Sequence, residues 1–190
     1  MGQNLEQAKH LLRRQLSAAR SRLGAADAAR LSLAICARVL AMPVFRAALH
    51  VVLYRAIGNE VDPASLANSA ASLGKRVHYP VADRDRWEFY SPRNGSAPSE
   101  PTDSNPLAPE TCDVCFLVPG LGFDHRGARL GRGSGWYDRA LARHPHGWRV
   151  GLAYEFQLVP SLPEASWDIR MNAVVTEARV LDGDAQRIGQ

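Results

Sequence analysis

The 190-residue sequence predicts an α/β fold built on a mostly parallel sheet, and two observations carry that expectation. Short β-branched or apolar runs alternate with segments of helical period, the order a parallel sheet needs because each crossover must accommodate a helix. One run, DVCFLVP at 113–119, is apolar at nearly every position, as a strand covered on both faces must be.

The chain opens with Leu5, Ala8, Leu12, Leu16, Ala19 and Leu23 at the spacing of one helical face, with Lys9, Arg13 and Arg20 on an adjoining flank. Gly24 stops this helix, and Asp27 is placed to cap a second one that runs to Met42, before Pro43. LHVVLY at 49–54 then reads as a strand, PASLANSAASLG at 63–74 as a helix closed by Gly74, and RVHYPV at 76–81 and WEFY at 87–90 as strands. Residues 91–110 are rich in Pro, Ser and Asn and read as a surface loop. Beyond the apolar strand come a helix in WYDRALARH at 136–144 and strands in WRVGLAY at 148–154 and NAVVTE at 172–177, and the last ten residues read as a ragged tail.

Residues 1–190 fit one domain with a buried core. No stretch approaches the roughly 20 apolar residues of a membrane helix, and the opening MGQNLEQAKHLLRRQL lacks the apolar region of a signal peptide, so a cytoplasmic protein is expected. Three cysteines are too few for a disulfide framework, and the lone Cys112-x-x-Cys115 pair lacks a second pair for a zinc site. Cys115 is expected to pack inside its strand as a small hydrophobe. The net charge of +4 comes from arginine, Lys9 and Lys75 being the only lysines. A basic surface of this kind serves nucleic acid, membrane phosphates or an anionic small molecule, and composition does not choose among them.

The most informative stretch is 113–141, where the apolar strand runs into a glycine-rich loop and then a helix. Gly131, Gly133 and Gly135 alternate with single residues, which lets the backbone take positive φ and turn its N–H groups onto an anion. The helix beginning near Trp136 adds its N-terminal dipole. Arg129 and Arg132 set bidentate guanidinium forks beside this concavity, and Asp138 offers a carboxylate to a magnesium ion bridging nucleotide oxygens. No G-K-[ST] and no G-x-G-x-x-G occurs, so the two commonest nucleotide fingerprints are absent.

PGLGFDHRGARLGRGSGWYDRAL at 119–141 resembles the signature loop of the 5-formyltetrahydrofolate cyclo-ligase family. Three further segments agree with it in order: Lys9-x-x-x-Arg13 in the first helix, YRAIGNEVD at 54–62, and GLAYEFQLVPSLPEASWDIRMNAVVTE at 151–177 with Gln157, Pro163 and Asp168. The resemblance implies a three-layer α/β/α fold of the kind seen in sugar-phosphate isomerase and CoA-transferase relatives. It implies ATP- and Mg2+-dependent closure of 5-formyltetrahydrofolate, with or without a polyglutamate tail, to 5,10-methenyltetrahydrofolate. The implied protein is a monomer with no nucleic-acid or membrane partner.

Carried onto these positions, the resemblance assigns nucleotide binding to Lys9, Arg13 and the loop residues Arg129, Leu130, Gly131, Arg132, Gly133, Ser134, Gly135, Trp136 and Tyr137. Arg55, Glu60, Arg132 and Trp136 would meet the folate, Glu60 and Arg129 would act in catalysis, and Asp138 and Asp168 would hold the metal. The sequence departs from the family pattern at Ser134, where some members have lysine, at Trp136, where tyrosine or phenylalanine is usual, and at Asn172, where an aspartate is common. The six histidines show no ligand spacing and receive no role. Two other functions compete: a phosphosugar isomerase needing no ATP, and a basic RNA-binding module, suggested by eight basic residues against two acids before Ala47.

Overall fold

The computed structural model describes residues 2–83, 86–92 and 106–184. Its elements, in chain order, are α1 (Gly2–Ser21), α2 (Ala25–Ala41), α3 (Pro43–Ala47), β1 (His50–Val52), α4 (Ala64–Ser72), β2 (Arg76–Asp83), β3 (Arg86–Tyr90), β4 (Val114–Pro119), β5 (Gly122–Phe123), β6 (Arg129–Leu130), α5 (Trp136–Ala142), β7 (Trp148–Leu152), β8 (Ala173–Val175) and β9 (Val180–Asp182).

Seven strands form one sheet in the order β3-β2-β1-β4-β7-β8-β9. The five central strands are parallel, with Val51 beside Val77 and Cys115, and Leu117 beside Val150. The edge strands β3 and β9 run antiparallel to their neighbours. A second, two-stranded sheet pairs β5 with β6 inside the glycine-rich region.

Alternation along the central strands divides the core. Val51, Leu53, Cys115, Leu117, Val150 and Leu152 pack against Ile35 and Val39 of α2, Phe45 of α3 and Leu66 of α4. Val52, Phe116, Val118 and Val174 point the other way, onto Ala140 and Leu141 of α5 and onto Phe123 of β5. Both faces are therefore covered, which explains why β4 is apolar at every buried position. Cys115 sits there as expected, with burial pushing its thiol up to about 12.

Helix α1 lies apart from both faces and packs Leu12 and Leu16 against Leu121, Leu130 and Leu162. This third cluster fastens the helix across the β5–β6 hairpin, bringing its cationic flank to the carboxyl ends of the parallel strands.

Several sequence expectations need correction. Gly24, with extended backbone, is the N-cap of α2, while Asp27 lies in the first turn and pairs with Arg30 at 3.0 Å. Pro43 starts α3 at its first turn, a position where its missing N–H costs nothing. The expected terminal tail contains part of β9, since Leu181 pairs with Val174. Of the expected 91–110 loop, residues 93–105 lie outside the described residues, and Leu107 is buried in the core. No helix among the described residues is long and apolar enough to cross a membrane.

Candidate active site

A cavity of about 800 Å3 opens at the carboxyl ends of β1, β2 and β4, the edge at which open parallel sheets bind ligands. Every site residue named from the sequence lines it, from Lys9 and Arg13 on α1 through Arg55 and Glu60 after β1 to the 129–138 loop and Asp168. Six side-chain cations and four carboxylates share the wall, so the cavity favours an anionic ligand.

The glycine loop is shaped as its composition requires. Gly133 and Gly135 take φ of 107° and 65°, conformations that L side chains rarely adopt, and Gly135 is the N-cap of α5. The turn exposes Gly133 beside the Arg13 guanidinium, whose Nε donates to the Gly131 carbonyl at 3.1 Å. Loop and first helix are thereby tied across the cavity.

Two ion pairs tie the named cations to carboxylates in the cavity. Lys9 Nζ donates to Asp168 at 2.5 Å, and both side chains are largely buried. Asp168 also accepts the Ala165 N–H at 2.8 Å. Arg129, 4 % exposed, donates to Asp138 at 2.9 Å, and the other Asp138 oxygen accepts the Ile169 N–H at 3.2 Å. The Arg129 guanidinium lies 5.4 Å from the centre of the Tyr137 ring, and its Nε is buried without a hydrogen-bond partner.

Glu60 lines the same cavity. It is 8 % exposed; one carboxylate oxygen accepts the Ile57 N–H at 3.0 Å, and the other accepts Arg132 Nη2 at 2.8 Å and Nε at 3.2 Å. Arg20 Nη1 lies 3.5 Å from that same oxygen. Trp136 and Tyr137 give the cavity an aromatic wall, and Trp136 meets Tyr137, Phe89 and Trp87 edge-on. The indole N–H of Trp136 is buried and has no partner among the described residues.

Other residues of the segments that carry the resemblance hold the framework. The Leu130 side chain is buried in the α1 cluster, so only its backbone borders the cavity. Asn172 does not line the cavity; it accepts the Arg149 N–H at 2.9 Å and its Nε at 3.1 Å, bracing β7 against the residue before β8. Gln157 is buried too, donating to the Gly120 and Leu121 carbonyls and accepting the Tyr154 N–H. Asp124 in the signature loop is structural: burial opposes its charge, but bonds from Leu162, Arg126 and Ala128 outweigh that and hold its carboxyl below the ordinary value.

The sequence reading missed Tyr54, Tyr79, Trp167 and Arg139, which also line the cavity. Arg139 lies 4.1 Å over the Trp87 ring and donates to the Ser134 carbonyl at 2.6 Å. It follows Asp138 directly in the helix, a position that periodicity alone assigns to solvent. Arg20 was read only as part of a cationic flank, yet it is two turns beyond Arg13 and so shares its face.

The profile of the 5-formyltetrahydrofolate cyclo-ligase family matches residues 5–177, almost the whole described chain. The chain belongs to the 5-formyltetrahydrofolate cyclo-ligase family. It is 33% identical to the 5-formyltetrahydrofolate cyclo-ligase of Escherichia coli K12 over 156 residues, covering 75% of this chain and 86% of that one. The Mus musculus cyclo-ligase is 26% identical over 196 residues, covering 90% and 94%. The fold agrees with the NMR structure of Aquifex aeolicus 5,10-methenyltetrahydrofolate synthetase at a TM-score of 0.77, with 32% identity and 96% of each chain covered. A synthetase from Mycoplasma pneumoniae superposes at 0.73, with 27% identity, covering 89% of this chain and 98% of that one.

The protein is therefore an enzyme converting 5-formyltetrahydrofolate to 5,10-methenyltetrahydrofolate, and membership of this family implies an ATP-dependent ligase acting on a folate. The isomerase and RNA-binding alternatives give way to this assignment.

Proposed function

We propose that the cavity holds ATP against the Lys9, Arg13 and Arg129 end and the folate against Glu60 and the aromatic wall, as a single-domain monomer of the three-layer α/β/α kind. The observation that carries this division is the different pairing of the charges within one cavity: Lys9 and Arg129 are held by Asp168 and Asp138, whereas Glu60 is held by Arg132 and Arg20. Phosphates are matched by buried cations and loop N–H groups; a pterin is matched by ring faces and a carboxylate acceptor.

Closing the ring requires the formyl oxygen to become a leaving group. It attacks the γ-phosphorus of ATP, ADP departs, N10 adds to the activated carbon, and phosphate leaves as the methenyl bridge forms. No protein nucleophile is required, so the enzyme's contribution is positioning and charge stabilisation. Arg129, already desolvated, offers its guanidinium to charge developing on the transferred phosphoryl group. Glu60 accepts a hydrogen bond from the folate and assists N10 in losing its proton after attack.

A magnesium ion also fits the residues present. Asp138 and Asp168 border the same cavity, and among the described residues no three His, Cys, Asp or Glu side chains form a cage, so phosphate oxygens and water would complete the coordination that magnesium prefers. The bound ion would offset charge between phosphate oxygens.

Steady growth of methenyltetrahydrofolate absorbance on mixing protein, 5-formyltetrahydrofolate, ATP and Mg2+ tests the reaction, and titrations of an ATP analogue and of folate on Glu60→Gln test the placement. Glu60→Gln should weaken folate and spare the nucleotide. The opposite pattern reverses the placement of the two ligands.

A further inference from the structure

Glu60 shares one carboxylate oxygen between two arginines of unlike mobility. Arg132 approaches from the glycine loop, and its side chain is 50% exposed. It also reaches the Ile57 carbonyl at 3.5 Å, so it spans the cavity mouth from loop to strand end. Arg20 approaches from inside, with a side chain only 8% exposed. Its Nη1 is 3.4 Å from the Gly120 carbonyl, which Gln157 Nε2 also holds at 3.1 Å. Asn59 Nδ2 donates to the Arg20 and Leu23 carbonyls, at 3.4 and 2.7 Å, locking the end of α1 to the segment that carries Glu60.

These surroundings give the two cations different freedom. Arg132 can leave Glu60 by rotating into solvent or onto an anionic ligand, because its own side chain is half exposed. Arg20 has no such exit, because its guanidinium is enclosed by backbone and by Glu60 itself. Burial lowers the pKa of Arg20, and the Glu60 charge acts in the opposite direction.

We propose that Arg20 is a positioning residue for catalysis, the resident counter-cation that keeps Glu60 aimed at the folate while Arg132 releases it to engage ligand. This inference rests on Glu60 being the folate-facing acceptor. A carboxylate deprived of every cation at 8 % exposure would turn away from its place, and that change removes the acceptor. Arg20 therefore acts on the folate half of the cavity, although it does not line the cavity.

The test combines Arg20→Met, Arg20→Lys, Glu60→Gln and the double variant Arg20→Met/Glu60→Gln, with steady-state constants for both substrates, ATP-analogue titration and thermal midpoints. Arg20→Met should raise the KM for 5-formyltetrahydrofolate at least about tenfold while the analogue Kd changes less than about twofold, and Arg20→Lys should recover most of the folate affinity. In the Glu60→Gln background, Arg20→Met should add less than about twofold, because the carboxylate it serves is gone. A residue that only supports the fold would lower the thermal midpoint and the active fraction, leaving both KM values unchanged and the two substitutions additive; that result overturns the proposal. Should Arg20→Met not fold, the neutral Arg20→Gln decides: equal loss of folate and nucleotide affinity, or no loss of either, sinks the idea, and selective loss of folate affinity supports it. If Glu60→Gln itself leaves folate binding intact, the placement of the folate fails before Arg20 is judged.

Discussion

Replacing Lys9 by Met removes one partner of the Lys9–Asp168 pair, whose side chains are 6% and 15% exposed at a separation of 2.5 Å. Deleting one member of a fully buried pair costs about 3–5 kcal/mol, because the remaining charge is stranded. Asp168 retains the Ala165 N–H and some contact with water, which reduces the loss to about 2–3 kcal/mol. For a chain of this length each kcal/mol moves the thermal midpoint by roughly 2–4 °C, so the ligand-free variant should melt about 4–12 °C lower. Neutralising the survivor should reverse much of that loss, and Lys9→Met/Asp168→Asn is expected to regain at least half of the lost midpoint. Differential scanning calorimetry of the native protein, both single variants and the double variant closes the cycle. A Lys9→Met midpoint within 2 °C of native, or a double variant no more stable than Lys9→Met, would refute the claim that the pair is electrostatically coupled.

Arg129→Lys keeps the charge but loses the planar guanidinium that reaches both Asp138 and the Pro119 carbonyl, and kcat should fall by one to two orders of magnitude, about 1.4–2.7 kcal/mol, with ATP affinity changed only modestly in steady-state assays. Asp138→Asn should lower activity at least about tenfold at limiting Mg2+, because an amide is the weaker ligand for a hard cation. Partial rescue by excess magnesium supports a metal role, whereas an unchanged magnesium dependence assigns the loss to the broken Arg129 pair. Acid should destabilise the fold through His78 and His144, both lowered to about 4, His78 by burial and nearby His50, His144 by burial and Arg143. Because the unfolded chain binds more protons between about pH 6.5 and 4, stability is full above that window and falls on acidification, by up to about 1.4 kcal/mol per pH unit for each histidine. Chemical denaturation from pH 7 to 4.5 should show a shallower loss in His78→Gln than in the native protein.

The parallel centre of the sheet was legible because strands buried on both faces need unbroken apolar runs, as Val114–Val118 supplies. The shape of the glycine loop was legible because alternating glycines signal the positive φ that Gly133 and Gly135 adopt. Edge elements were harder. Strand β9 is exposed at Val180 and Asp182, so its composition carries no burial signal, and its pairing with β8 is visible only in three dimensions. The N-cap at Gly24 was hidden by the better capping chemistry of Asp27. Arg20 illustrates the deepest difficulty: an arginine on a helix flank is ordinarily solvated, and only the arrival of Glu60, 40 positions later, makes it an interior residue. Lys9 gained its partner from 159 positions away, a distance no local pattern encodes.

That long reach has a consequence for how the enzyme comes together. Helix α1 belongs to neither face of the sheet; Leu12, Leu16 and three cations moor it to groups from residues 60–168. During synthesis the first helix leaves the ribosome long before its moorings exist, so the cavity cannot be completed until Asp168 has been made. In the finished protein, slipping those moorings would carry away Lys9, Arg13 and Arg20 together while the seven strands stayed paired. Loss of competence then precedes loss of structure, and bound phosphates, by bridging helix and loop, would act as the final rivet.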